Sequence, residues 1–262
     1  MDNGQLIIEN CPPRPNTGRN IFGGKGSLLA ALLSLATGVY LLAHPLGMQA
    51  FAQATANLTG RISVAGVYPR ARPLPVFKNR DFCGAQVRNE TLLIGRDGGI
   101  KNAVVTLRAL DRSALAKPKQ IVLDNQNCAF VPHVQVAPAG SELLLKNSDP
   151  ILHTVHARLG GETLFNVGLP KWRTVTKRLD RVGVVKIDCD VFHTWMSAAI
   201  VITDSPYYAL SDADGWFAIE GLPAGIYDME VWHERLGTRQ QKLRIEQSES
   251  LTVDIVYGAS RP

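Results

Sequence analysis

Cys189, His193 and Met196 fall in one short run, Asp188-Cys-Asp-Val-Phe-His-Thr-Trp-Met196, and an earlier run, Asn147-Ser-Asp-Pro-Ile-Leu-His-Thr-Val-His156, ends in two histidines. A thiolate, an imidazole a few residues on, a thioether beyond it and a second imidazole from another segment form the ligand set of a mononuclear blue-copper site. The expected ligands are His153, Cys189, His193 and Met196. His156 and His133 are the alternatives to His153, with His156 placed on the opposite side of a strand from it. Zinc is the competing metal, with Asp190 as a carboxylate ligand. The thioether after His193 favours copper. Phe192 and Trp195 flank the ligands and are expected to wall the metal in apolar surroundings. A nucleophilic role for Cys189 is the poorer reading, since no nucleophile elbow is present. No phosphate-binding glycine loop and no HExxH run occurs either.

The elements that must hold these residues read as short strands between turns. Alternation or apolar runs mark strands at 60–67, 92–94, 103–110, 121–123, 130–136, 142–146, 174–179, 182–187 and 198–203. Hairpins are expected across Pro138-Ala-Gly140 and across Asp180-Arg181. Past residue 203 come Ser211-Asp-Ala-Asp-Gly215 turning into a strand, then further strands to 256. No segment after residue 56 carries a sustained helical apolar face. The expected fold class is therefore all-β: a Greek-key sandwich followed by a small β-sandwich, with a helix only in the amino-terminal leader.

The chain has 262 residues, 45% hydrophobic and 19% charged, which suits a globular body with a real core. A net charge of +5 is spread without Lys/Arg blocks, so nucleic acid is not an expected partner. Residues 1–56 read as an export leader. Arg14, Arg19 and Lys25 precede the apolar run 27–43, and Ala50-Phe-Ala52 offers a cleavage pattern. An uncleaved membrane anchor is the rival reading. Either way the body lies outside the cytoplasm, with a periplasmic location expected. Four cysteines occur, and Cys11 lies in the leader. Of the other three, the pairing read here is Cys83 with Cys128, leaving Cys189 for a metal. A loop of about 45 residues closed in this way gains about 4 kcal/mol in the chain-entropy model. A different disulfide, or an inert buried Cys189, is the alternative.

These runs resemble the plastocyanin/azurin, or cupredoxin, ligand pattern. The body is also similar to exported cupredoxin-like proteins of the methylamine-utilisation type. The resemblance rests on Cys128-Ala-Phe-Val-Pro-His-Val134, Asn147 to His153 and Cys189 to Met196. The stretch from Asp212 to His233 resembles a carboxypeptidase-regulatory-like β-module, through Asp212-Ala-Asp-Gly-Trp-Phe217 and Leu222-Pro-Ala-Gly-Ile-Tyr227. Two departures stand out. Three residues rather than two separate Cys189 from His193, Phe192 being the extra one. Thr154 also stands where the pattern places an asparagine that steadies the thiolate loop.

The expected domains are 1–56 (leader or anchor), 57–203 (cupredoxin-like) and 204–258 (regulatory-like module). The expected function is one-electron transfer through copper, without enzymatic activity, to a redox protein docking at an exposed edge of His193. A copper-binding or delivery protein and a metal-free interaction module are the other readings. The amino-terminal segment leaves a membrane association open.

Overall fold

A computed structural model describes residues 55–258 except 67, 70, 112, 113, 248 and 249. The expected leader, its helix and Cys11 lie outside the described residues. Among the described residues no helix is long and apolar enough to cross a membrane.

The chain is all-β, and its strands form two sandwiches. In the first, a five-stranded sheet runs in the order Glu162–Leu169, His153–Leu159, Gly183–Asp188, Ser197–Thr203 and Val134–Pro138. It shares a core with a four-stranded sheet ordered Thr174–Leu179, Ser141–Asn147, Gln120–Gln126 and Ala129–Val131. Alternation explains the facing: Leu143 and Leu145 of one sheet and Val155 and Ala157 of the other point inward and are fully buried.

The second sandwich pairs Thr55–Val64 with Trp216–Pro223 and, in parallel, with Ser250–Thr252 and Ile255–Tyr257. Opposite it stand Tyr207–Leu210, Val104–Ala109, Gly225–His233 and Gly237–Ile245. Leu58, Ile62, Leu107, Tyr227 and Val231 fill the space between. Gly60 is required here, since a β-carbon on it would meet the Val253 carbonyl oxygen at 1.9 Å. Ser197–Thr203 is apolar on both faces because one face lines the first core. The other face packs Ala199 and Val201 with Val104 and Trp232 of the second sandwich.

Several expectations change. The sheets do not follow a boundary at 203/204, because Thr55–Val64 and Val104–Ala109 are strands of the second sandwich. Thr55 and Ala56, placed in the expected segment 1–56, pair with Pro223 and Leu222 and so belong to the folded body. The two expected hairpins do not form. Thr174–Leu179 and Gly183–Asp188 belong to opposite sheets, as do Val134–Pro138 and Ser141–Asn147. A turn that crosses between layers uses the same residues as one that folds a strand back on its neighbour. The stretch 92–94 contributes only an isolated bridge, Ile94 with Ile100.

Candidate metal centre

The site lies at one end of the first sandwich. His153 begins a strand of the five-stranded sheet, and Cys189 follows the end of Gly183–Asp188. These two strands are antiparallel neighbours, with Asp188 opposite His156, which brings the two side chains to one sheet end. His193 comes from the loop joining Gly183–Asp188 to Ser197–Thr203. That loop closes with the Met196 N–H donating to the His193 carbonyl at 2.9 Å. Phe192, the additional residue, takes a left-handed φ of 66° at the loop's tip and is 73% exposed. The loop thus absorbs an extra residue by turning it outward. Phe192 is not part of an apolar wall, contrary to expectation.

His153, Cys189 and His193 converge. The two imidazole Nδ1 atoms are 3.0 Å apart, and Cys189 Sγ lies 4.0 Å from that of His153 and 3.8 Å from that of His193. All three residues are buried, and among the described residues no other His, Cys, Asp or Glu joins them as a donor. The triangle is acute. A point inside it lies about 2.1 Å from every corner, which matches metal–nitrogen and metal–sulfur bonds of about 2.0–2.3 Å. The donor set and its spacing therefore fit a trigonal metal ion of borderline softness.

The far side of each ring is fixed. His153 Nε2 donates to Asp149 Oδ2 at 2.9 Å, and His193 Nε2 donates to Asn79 Oδ1 at 2.8 Å. With both Nε2 protons committed, both Nδ1 lone pairs face each other and the sulfur. Two lone pairs at 3.0 Å repel unless a proton or a cation sits between them.

Asp149 is 2% exposed. Its carboxylate also accepts the backbone N–H of Asn127 at 2.7 Å and of Cys128 at 2.9 Å. Both of those residues have left-handed φ, which turns their N–H groups toward one concavity that suits an anion. Burial works against the charge on Asp149. The hydrogen bonds from His153, Cys128 and Asn127 outweigh it and hold the carboxyl below its ordinary value. Asn147 shapes the turn beneath. Its Nδ2 donates to the Ile151 and Leu169 carbonyls, and its Oδ1 accepts the Asp149 N–H.

Cys189 is handled similarly. Burial pushes its thiol up, but hydrogen bonding with His153 and the Thr154 N–H brings it below the ordinary value. Burial depresses His153, and its bonds to Asp149 and Cys189 then lift it above the ordinary imidazole value. His193 is pushed down to about 4 by burial first, then by the charges of His153 and Lys78. Thr154 supplies the support that an asparagine was expected to give. Its N–H reaches Cys189 Sγ at 3.3 Å, and its hydroxyl accepts the Asp190 N–H at 2.6 Å.

Met196 is 2% exposed and belongs to the same core cluster as Cys189 and Trp195. Trp195 is buried as expected, tilted on His193 with ring centres 5.0 Å apart, and donates its indole N–H to the Cys128 carbonyl. The disulfide joins Cys83 and Cys128, and Cys189 is free.

The other candidates serve elsewhere. His156 bonds Asp190 and Thr163, His133 bridges the Ser197 carbonyl and Glu234, and His233 Nδ1 accepts the N–H groups of Arg235 and Leu236. Asp190 is engaged by His156 and Asn166, away from the donor triangle. The edge of His193 is not exposed, contrary to expectation: the residue is 1% accessible because Asn79 covers it. Asn79 escaped the sequence reading. Its one signal was its place four residues before a bridged cysteine. Asp149 stands within the run Asn147 to His156, which draws attention by its histidines rather than by its carboxylate.

No family model matches the chain, and no curated protein matches it. Among solved structures it is similar to a purple cupredoxin from Nitrosopumilus maritimus, at 23% identity over 32% of this chain and 99% of that one, with a TM-score of 0.29. A reduced amicyanin mutant is similar at 19% identity over 37% of this chain and 98% of its own, with a TM-score of 0.29. The copper-containing nitrite reductase of Thermus scotoductus SA-01 is similar at 18% identity, over 37% of this chain and 25% of its own, with a TM-score of 0.30. Scores of this size do not bear on the assignment of the site, which rests on its donor geometry.

Proposed function

We infer that this chain is an extracytoplasmic copper protein that passes single electrons, in which His153, Cys189 and His193 would hold the metal and Met196 would add a thioether donor. The observation that carries the reading is the buried triangle of two Nδ1 atoms and one Sγ, sized for a three-coordinate ion. Copper bound there supplies a one-electron couple between its +1 and +2 states.

The residues present favour that use. Asp149 and Asn79 lock each ring in one tautomer and one orientation, so the donors stand in place before an ion arrives. Donors held in advance change little between redox states. Burial of all three donor residues keeps bulk water from the donor atoms. Zinc is disfavoured because Asp190, the expected carboxylate, is committed elsewhere. The Cys83–Cys128 bridge supports an oxidising compartment, in line with the export leader read from the sequence. The second sandwich keeps the reading of a regulatory-like module on its sequence resemblance alone.

The test is metal analysis and optical spectroscopy of the full-length chain loaded with copper(II). The expected result is one copper per chain and an intense visible thiolate-to-copper band, both lost in Cys189→Ser. Colourless binding of copper(I) alone would assign the chain to copper delivery. Absence of any bound metal would overturn the reading.

A further inference from the structure

The loop 76–85 has no place in the donor triangle, yet it is built against it. Its base closes with the Val76 N–H donating to the Ala85 carbonyl at 3.0 Å. Its tip is the short helix Arg80–Cys83, preceded by Asn79 at a left-handed φ of 58°. Three contacts fasten it to the ligand loop. Asn79 accepts the His193 Nε2 proton, Lys78 Nζ reaches the Val191 carbonyl at 3.5 Å, and the same ammonium lies 5.1 Å from the Phe192 ring centre. Cys83, whose N–H bonds back to the Asn79 carbonyl at 2.9 Å, is bridged to Cys128. Cys128 in turn gives its N–H to Asp149, the partner of His153.

These links close a ring. From His193 it runs through Asn79 and one helical turn to Cys83, across the disulfide to Cys128, then through Asp149 to His153. We propose that Asn79 is a positioning residue for His193, and that the Cys83–Cys128 bridge is the latch holding Asn79 and the Asp149 anchor in register, so that one covalent link fixes both imidazoles. The metal consequence rests on the copper reading above, whereas the ring geometry does not. The latch sets how tightly the donors stay aimed, and so how slowly the ion leaves. An asparagine carbonyl is suited to the task because it accepts the hydrogen bond without adding a charge near the thiolate.

The experiment uses the full-length chain. Asn79→Gly removes the amide and tolerates the left-handed backbone, and Asn79→Asp keeps an acceptor there. In the metal-free protein, ring nitrogen NMR is expected to show His193 as one tautomer with Nε2 protonated, and as a mixture in Asn79→Gly. Asn79→Asp should restore the single tautomer. In the copper-loaded protein, transfer to a copper(I) chelator should run about 10–100-fold faster in Asn79→Gly. The bridge-free double variant Cys83→Ala/Cys128→Ala should be similarly fast, and adding Asn79→Gly to it should change the rate by less than about twofold. An unchanged tautomer in Asn79→Gly overturns the positioning role, and two fully independent rate effects overturn the latch. If the parent chain binds no copper, the copper reading falls while the NMR arm still decides the role of Asn79. If the bridge-free chain does not fold, selective reduction of the bridge by a phosphine in the folded copper(I)-loaded chain decides the latch, an unchanged transfer rate overturning it.

Discussion

Removal of the Asp149 side chain should expose how much of the centre's order is electrostatic. Asp149→Ala deletes three charge-assisted hydrogen bonds, from His153, Cys128 and Asn127. Asn127 is exposed, so its N–H finds water. The Cys128 N–H and the His153 Nε2 proton are buried and are left without an acceptor. Each buried donor left unpaired costs about 1–3 kcal/mol, so the sum is about 2–6 kcal/mol, with about 4 as the central value. Asp149→Asn should cost less. Its amide oxygen can occupy the Oδ2 position and keep His153 and Cys128, leaving only the Asn127 N–H facing an amide NH2 donor. That variant should lose about 1–2 kcal/mol. Metal affinity should follow the same order, since His153 is free to turn in the alanine variant but stays anchored in the asparagine one. The expected losses are about 10–100-fold for Asp149→Ala and severalfold for Asp149→Asn. Urea unfolding of the metal-free chain gives the first ranking, and competition against a chelator gives the second. An alanine variant that unfolds within about 1 kcal/mol of the parent and binds copper equally well would refute the anchoring of His153 by Asp149.

Three further outcomes follow from other parts of the molecule. Cys83→Ala/Cys128→Ala should lower stability by about 4 kcal/mol through the freed loop of 45 residues, read from the shift in urea midpoint at constant slope. His233, pushed down to about 4 by burial in the second sandwich, must stay neutral to accept the N–H groups of Arg235 and Leu236. Its surrounding charges are Glu234, His133 and Arg235, and their sum does not reverse the effect of burial. Because the unfolded imidazole takes up a proton near 6.5, this contribution is complete above that pH and fades as pH falls toward 4. It amounts to about 3 kcal/mol. Melting curves across that range should show the loss, and His233→Asn, which keeps an acceptor without titrating, should flatten it; equal slopes in both proteins would contradict the account. Gly60→Ala should destabilise by several kcal/mol or force the 253 backbone away, since the added carbon lands 1.9 Å from a carbonyl oxygen. A melting temperature equal to the parent's would show that the strand shifts freely.

What the sequence disclosed, and what it hid, divides along a physical line. The types and spacing of His153, Cys189 and His193 were legible because soft donors are rare, and a thiolate grouped with imidazoles and a thioether suits little besides a metal. Strand positions were legible from alternation, as in Ser141–Asn147. Strand partners were not. Asp180-Arg181 reads as a hairpin turn, yet the chain passes there from one layer to the other, and only long-range register decides between the two. The strand Thr55–Val64 joins Ser250–Thr252 and Ile255–Tyr257 for the same reason: its pattern says that one face is buried, but not against what. Asn79 gave no periodic or compositional signal, because a lone amide in a loop acquires its role only from what stands opposite.

The two departures from the cupredoxin pattern show how far side-chain identity can mislead when the backbone does the bonding. Judged by side chains alone, Thr154 in place of the expected asparagine removes support for the thiolate. Yet Cys189 Sγ receives the main-chain N–H of residue 154 at 3.3 Å, which every residue but proline has, and the Thr154 hydroxyl adds a longer contact at 3.7 Å. The same hydroxyl also receives the Asp190 N–H, at 2.6 Å. Phe192 likewise lengthens the ligand loop without moving its ends. A left-handed residue at the tip lets the chain reverse, while Cys189 and Met196 remain tied to the two adjacent strands. The constraint on this loop is therefore that its ends stay on paired strands and that the 154 amide stays free to donate. Thr154→Asn should leave the main-chain contact to the sulfur intact, whereas Thr154→Pro should abolish it.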